Sequence, residues 1–183
     1  MATRAVPAPL AQLPNALTVA RLILIPIFVA LMIHAGDARS WPAGIVFGVA
    51  GATDQIDGFL ARRWRVESRF GKIADPLADR LMIDAAIILL VAYGRLHWAG
   101  LVVIAARDLF LLAGWRLLAP RGIDLDVNLL GKAATWLLYA GVGFRIVTHD
   151  HTSWPLWLFW IGLITAVVAA MFYARDAWKE LKR

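Results

Sequence analysis

Six apolar runs, each close to the roughly 20 residues a helix needs to cross the hydrocarbon core of a bilayer, constrain this chain more than any other feature. They cover Asn15–His34, Trp41–Trp64, Ile73–Gly94, Leu96–Ala119, Leu129–Thr148 and Trp154–Arg175, separated by short polar turns. Six crossings consume about 120 positions of a chain of 183 residues, so no second, water-soluble domain fits. Composition agrees: 61% of the residues are hydrophobic and 17% charged, whereas soluble domains average roughly 45–50% and 25%. A soluble globule and a disordered chain are both excluded. The expected architecture is an all-α integral membrane protein, a bundle of six transmembrane helices. Residues 1–14 form a cytoplasmic arm and residues 15–183 a single domain. The first run carries Arg21 and Pro26 and is followed by five more, so it is expected to be retained rather than cleaved as a signal peptide.

Charge placement orients the bundle. The net charge is +6, a value that in a soluble protein would suggest nucleic acid. In a membrane protein it marks basic cytoplasmic loops, and no nucleic-acid partner is expected. With the amino terminus inside, fifteen of the 19 Lys and Arg residues fall at inner ends and loops. Arg39, Arg95 and Arg145 fall outside, and Arg107 lies within the fourth run. Both termini are therefore expected in the cytoplasm. Trp41, Trp98, Trp154 and Trp157 then mark the outer interface, and Trp64 and Trp178 the inner one.

Ionisable groups inside spans are costly and point to function. The densest group is Thr53–Arg80, reading TDQIDGFLARRWRVESRFGKIADPLADR, where four aspartates flank a basic turn between the second and third runs. On helices, Asp54 and Asp57, three apart, share one face, as do Asp75 and Asp79, four apart. Such like charges repel unless they take up protons or hold a cation. Oxygen ligands without His or Cys suit a hard ion: Mg²⁺, Mn²⁺ or Ca²⁺. Gly58 and Ala61 leave a strip of helix surface without bulk where a flat ligand can approach, and Gly71 does the same on the facing element. Arg62, one turn after Gly58, offers a planar fork for phosphate oxygens. Metal, arginine and slot together suggest a nucleotide-activated lipid whose phosphoryl group is transferred. Close helix packing through small residues and simple basic anchoring are the plainer readings of Gly58, Gly71 and Arg62. His34, His97, His149 and His151 lie at outer ends, far from the acids, and the chain has no cysteine.

The pattern Asp54-x-x-Asp57-Gly58-x-x-Ala61-Arg62, then eight residues, then Gly71-x-x-x-Asp75-x-x-x-Asp79 resembles the complete signature of the CDP-alcohol phosphotransferase family. The resemblance implies a dimeric six-helix membrane enzyme that displaces CMP from a CDP-linked donor, usually CDP-diacylglycerol, by an acceptor alcohol. It also assigns roles by matching positions. Asp54, Asp57, Asp75 and Asp79 would bind one or two Mg²⁺ or Mn²⁺ ions, with Asp79 the general base. Gly58, Ala61, Arg62 and Gly71 would contact the CDP donor. Thr18, Arg107, Arg116 and Lys132 would contact the acceptor.

Further segments narrow the resemblance. Leu13–Phe28 (LPNALTVARLILIPIF), Asp75-Pro76-Leu77-Ala78-Asp79-Arg80, Ala106-Arg107-Asp108 and Gly131-Lys132-Ala133-Ala134-Thr135 resemble phosphatidylglycerophosphate synthases and the related CMP-forming cardiolipin synthases. The first implies glycerol 3-phosphate as acceptor, the second phosphatidylglycerol. Asp108, where the first group usually has Glu, is the cardiolipin-synthase-like choice. Arg107 also has a structural reading, an ion pair with Asp108. A cation or proton carrier using intramembrane aspartates is the alternative of another class, but it leaves the Gly58, Ala61, Arg62 and Gly71 spacing unexplained. The site is expected at the cytoplasmic face of a bacterial plasma membrane.

Overall fold

A computed structural model of the protein describes residues 13–64, 69–118 and 129–181; in addition, the side chains of residues 54–64, 69–77 and 79 and a few others lie outside the description. Six helices account for nearly all of the described residues: α1 Leu13–His34, α2 Trp41–Trp64, α3 Arg69–Ala92, α4 Trp98–Leu118, α5 Leu129–Val147 and α6 Trp154–Leu181. No strand occurs among the described residues. Each apolar run has become one helix. α1 over Ala16–His34 and α6 over Trp154–Glu180 are long and apolar enough to cross a membrane, and the apolar part of α2 is Trp41–Thr53. The expected arm at residues 1–14 falls almost wholly outside the described residues, as does the basic turn at 65–68.

Two helix boundaries differ by more than two residues from those read off hydrophobicity. α3 starts at Arg69 rather than Ile73, and α6 runs on to Leu181 rather than stopping at Arg175. Backbone hydrogen bonding does not end where the apolar surface ends. In α6 the polar extension carries an Asp176–Lys179 pair at 3.7 Å, one turn apart, the kind of contact that supports a solvated helix end.

Turn chemistry sets the α1–α2 and α3–α4 connections. α3 closes with Gly94 at φ 69°, the left-handed conformation glycine reaches without steric cost. The Gly94 amide donates to the Val91 carbonyl at 3.0 Å and the Arg95 amide to the Leu90 carbonyl at 2.8 Å, the paired bonds of a Schellman motif. α2 opens on Ser40, whose Oγ accepts from the Ala43 amide at 3.2 Å, capping an otherwise orphaned donor.

The chain divides into two compact units, residues 1–89 and 90–183. In the first, α1 packs on α2. Thr18, Arg21, Phe28 and Met32 of α1 are all essentially fully buried, as are Ala43, Phe47 and Ala50 of α2, and the Phe28 and Phe47 rings lie 5.9 Å apart. α3 buries Ala78, Met82, Ala86 and Ile87, a stripe at helical spacing.

In the second unit α5 and α6 approach through glycine. A Cβ on Gly141 would stand 2.6 Å from the Phe159 amide nitrogen, and one on Gly162 would stand 2.8 Å from that of Leu138. The Phe159 ring in turn occupies the space over Gly100 of α4. In lipid, where apolar burial alone does not drive helices together, such close backbone approach supplies the packing energy. Gly141→Ala and Gly162→Ala should each destabilise by about 1–3 kcal/mol, the usual cost of overpacking. The double variant should lose less than the sum, since one separation of α5 from α6 relieves both clashes. Thermal unfolding of the purified variants in detergent checks this; parental stability in all three would refute it.

Candidate active site

The backbone carries the acidic signature on two helices. Asp54 and Asp57, with Gly58, Ala61 and Arg62, lie in the last half of α2; Gly71, Asp75 and Asp79 lie in the first half of α3. All belong to the first unit. Their side chains are outside the described residues. Helical backbone at 54 and 57, and again at 75 and 79, gives the same-face spacing expected from the sequence. The donor set is four carboxylates with no sulfur or imidazole, which fits a hard divalent cation. Among the described residues, which leave out the four aspartate side chains, no group of three or more His, Asp or Glu is placed to hold a metal.

The acceptor candidates divide between the units. Thr18 is fully buried on α1 in the first. Arg107, Arg116 and Lys132 lie in the second. The Arg107 side chain is 18% exposed, and its Nη1 donates to Asp108 Oδ1 at 2.9 Å. Its Nε is buried and makes no hydrogen bond among the described residues. The ion-pair reading of Arg107 therefore holds, yet the guanidinium keeps an unused donor in a half-buried position, where a missing partner is costly. Lys132 is exposed in the first turn of α5. One turn on, Thr135 Oγ1 donates to the Gly131 carbonyl at 3.0 Å. Arg116 is exposed in the last turn of α4. It follows Arg107 by nine residues, two and a half turns and about 13.5 Å of helix, so the two leave α4 on opposite faces. α4 does not bring them together.

Sequence reasoning missed three arginines. Arg95 and Arg145, expected as outer-face charges, are buried at 4% and 5% exposure and tie down the α5–α6 connection. Arg95 Nε donates to Asp150 Oδ1 at 2.7 Å and its Nη2 to the Thr148 carbonyl at 2.6 Å. Arg145 Nε donates to the Arg95 carbonyl at 2.9 Å, and its Nη1 to the carbonyls of His149 and Thr152, each at 3.2 Å. The hydrogen bond from Arg95 holds the largely exposed Asp150 carboxyl below the usual carboxylate range. These arginines clamp the α5–α6 connection, because a loop of carbonyls against an apolar bundle needs fixed donors. The third is Arg21, counted above as an inner-end charge and in fact 1% exposed. Its spacing of three from Thr18, on the stripe that continues to Phe28 and Met32, was the available signal.

Comparison with known proteins places the chain. The model of the CDP-alcohol phosphatidyltransferase family matches residues 11–170. A protein of Bacillus subtilis (strain 168) named CDP-diacylglycerol–glycerol-3-phosphate 3-phosphatidyltransferase is 34% identical over 93% of this chain and 97% of its own length. The Escherichia coli (strain K12) protein of the same name is 30% identical over 79% and 91%. One from Mycoplasma pneumoniae, also of that name, is 38% identical over 70% and 65%. No solved structure matches the chain.

Proposed function

The chain belongs to the CDP-alcohol phosphatidyltransferase family, and from that premise we propose that it transfers the phosphatidyl group of CDP-diacylglycerol to glycerol 3-phosphate, giving phosphatidylglycerophosphate and CMP. The similarity to the Bacillus subtilis enzyme along almost the whole of both chains carries this reading. In the reaction a hydroxyl oxygen of glycerol 3-phosphate bonds to the phosphatidyl phosphorus, the bond from that phosphorus to CMP breaks, and the hydroxyl proton passes to Asp79. Asp54, Asp57, Asp75 and Asp79 would hold one or two Mg²⁺ or Mn²⁺ ions, which supply charge stabilisation at the pyrophosphate and a more acidic hydroxyl. Gly58, Ala61 and Gly71 admit the nucleotide, and Arg62 meets its phosphate. Among the acceptor candidates Thr18, Arg107, Arg116 and Lys132, Arg107 is the best prepared, since its buried Nε lacks a partner among the described residues.

Cardiolipin synthesis from phosphatidylglycerol is the second reading. Asp108, paired with Arg107, is the feature that favours it. Purified protein incubated with CDP-diacylglycerol, Mn²⁺ and each acceptor separately decides between them. Phosphatidylglycerophosphate from glycerol 3-phosphate is the expected product; cardiolipin as the only product would overturn the assignment.

The six helices are proposed as six membrane spans of a homodimeric enzyme in a bacterial plasma membrane, with both termini and the carboxylate end facing the cytoplasm. The fifteen-to-three charge asymmetry supports this orientation. The protein has no cysteine, so single cysteines introduced at Ser68 and Ser153 report without background. They should react with an impermeant thiol reagent from opposite faces of the membrane. Labelling of both from one face would refute the topology.

A further inference from the structure

Arg21 is the largest fully buried side chain among the described residues. Taking a guanidinium out of water costs several kcal/mol unless an anion and good hydrogen bonds compensate, and in a membrane protein such a group faces a partner or a polar cavity. The position of Arg21 indicates which partner. α1 and α2 are joined by only six residues and pack on each other, so they run antiparallel. Phe28 and Phe47, 5.9 Å apart, fix their relative depth. Seven residues before Phe28 lies Arg21, and seven residues after Phe47 lies Asp54. Seven residues are about 10.5 Å and almost two full turns. Each residue therefore stays on the helix face of its phenylalanine and moves the same distance toward the same end. Arg21 is level with Asp54, and by the same count Thr18 is level with Asp57. The buried stripe of α2, Ala43, Phe47 and Ala50, continues at helical spacing into positions 54 and 57.

We infer that Arg21 is a positioning residue of the carboxylate site: a fixed internal cation on α1 that offsets part of the repulsion among Asp54, Asp57, Asp75 and Asp79 and holds α1 against the acidic end of α2. The inference rests on the reading of those aspartates as a metal site. It gives Arg21 two opposed effects. Before metal binds, the guanidinium stabilises the cluster; once a divalent cation arrives, the two positive charges compete for the same carboxylates.

The test is Mn²⁺ binding to purified full-length protein in detergent, by titration calorimetry, with thermal unfolding measured in EDTA and in saturating Mn²⁺. Arg21→Gln should bind Mn²⁺ about tenfold more tightly, the order by which an adjacent charge moves a proton equilibrium. It should unfold at lower temperature than the parent in EDTA and near the parent temperature in Mn²⁺. Arg21→Lys, which keeps the charge, should match the parent affinity within about twofold, well inside that tenfold effect. A role in packing alone would lower both unfolding temperatures equally and leave the affinity unchanged, and that result overturns the inference. So does failure of Arg21→Gln to fold in saturating Mn²⁺, because metal should then replace the missing charge. If the parent protein binds no Mn²⁺, the metal-site reading itself fails; if it binds Mn²⁺ with the same affinity as Arg21→Gln, only the role of Arg21 does.

Discussion

Asp75→Asn should reduce CMP release by about three orders of magnitude or more, and Asp54→Asn should do the same. Bound metal at a transferring phosphoryl group contributes several kcal/mol of charge stabilisation, and each 1.36 kcal/mol is a factor of ten in rate. The substitution is nearly isosteric but replaces an anionic oxygen with an amide that a hard cation binds poorly. It also removes one of four mutually repelling charges. The variants should therefore unfold no earlier than the parent in EDTA while being inactive, which separates loss of chemistry from loss of fold. Chelation of the parent should abolish turnover in the same way, with recovery on adding Mg²⁺ or Mn²⁺. Full activity in chelator would eliminate the carboxylate metal site, and with it the roles given to all four aspartates.

That expectation depends on residues legible from sequence, whereas the buried arginines were not, and the difference has a physical cause. Helix identity follows from the length of apolar runs, because lipid requires every backbone group to be satisfied within the segment. The acidic signature is likewise local, since all eight of its positions lie on two consecutive helices, and a periodicity of three and four places its acids without tertiary information. Helix ends were less legible. α6 continues to Leu181 through residues whose polarity ends the apolar run but not the helix. Arg95 and Arg145 were sorted by sign and side of the membrane, and a charge tally has no access to the carbonyls of Thr148, His149 and Thr152 that make them structural. Arg21 sits near the amino-terminal end of its run, where an anchoring arginine is ordinary. Only its burial beside Thr18 and the Phe28–Phe47 register set it apart. Arg116 shows the converse. The family resemblance gives both it and Arg107 to the acceptor, but nine residues of helix set the two on opposite faces of α4.

Lys132→Ala should raise the apparent KM for glycerol 3-phosphate roughly ten- to a hundredfold and leave the KM for CDP-diacylglycerol nearly unchanged. A charged contact to phosphate contributes about 1.5–3 kcal/mol, and each 1.4 kcal/mol is a factor of ten in affinity. The selectivity follows from where the cations lie. Arg62 is on α2, in the unit that carries the acids, whereas Lys132 opens α5 in the other. Arg62→Ala should accordingly impair donor use and spare the acceptor. Lys132 is exposed, so its truncation leaves no buried charge behind, and thermal unfolding should be unaffected. Arg107→Ala is the instructive contrast. It would also weaken the acceptor, but it strips Asp108 of the partner at 2.9 Å and should cost stability as well as affinity. The size of the Lys132 effect further reports the acceptor. A phosphate monoester carries nearly two charges and a phosphodiester one, so the defect should be larger with glycerol 3-phosphate than with phosphatidylglycerol as substrate. If Lys132→Ala and Arg62→Ala both weakened only the donor, Lys132 would belong to the nucleotide site, and the acceptor phosphate would be left to Arg107, whose buried Nε has no partner among the described residues.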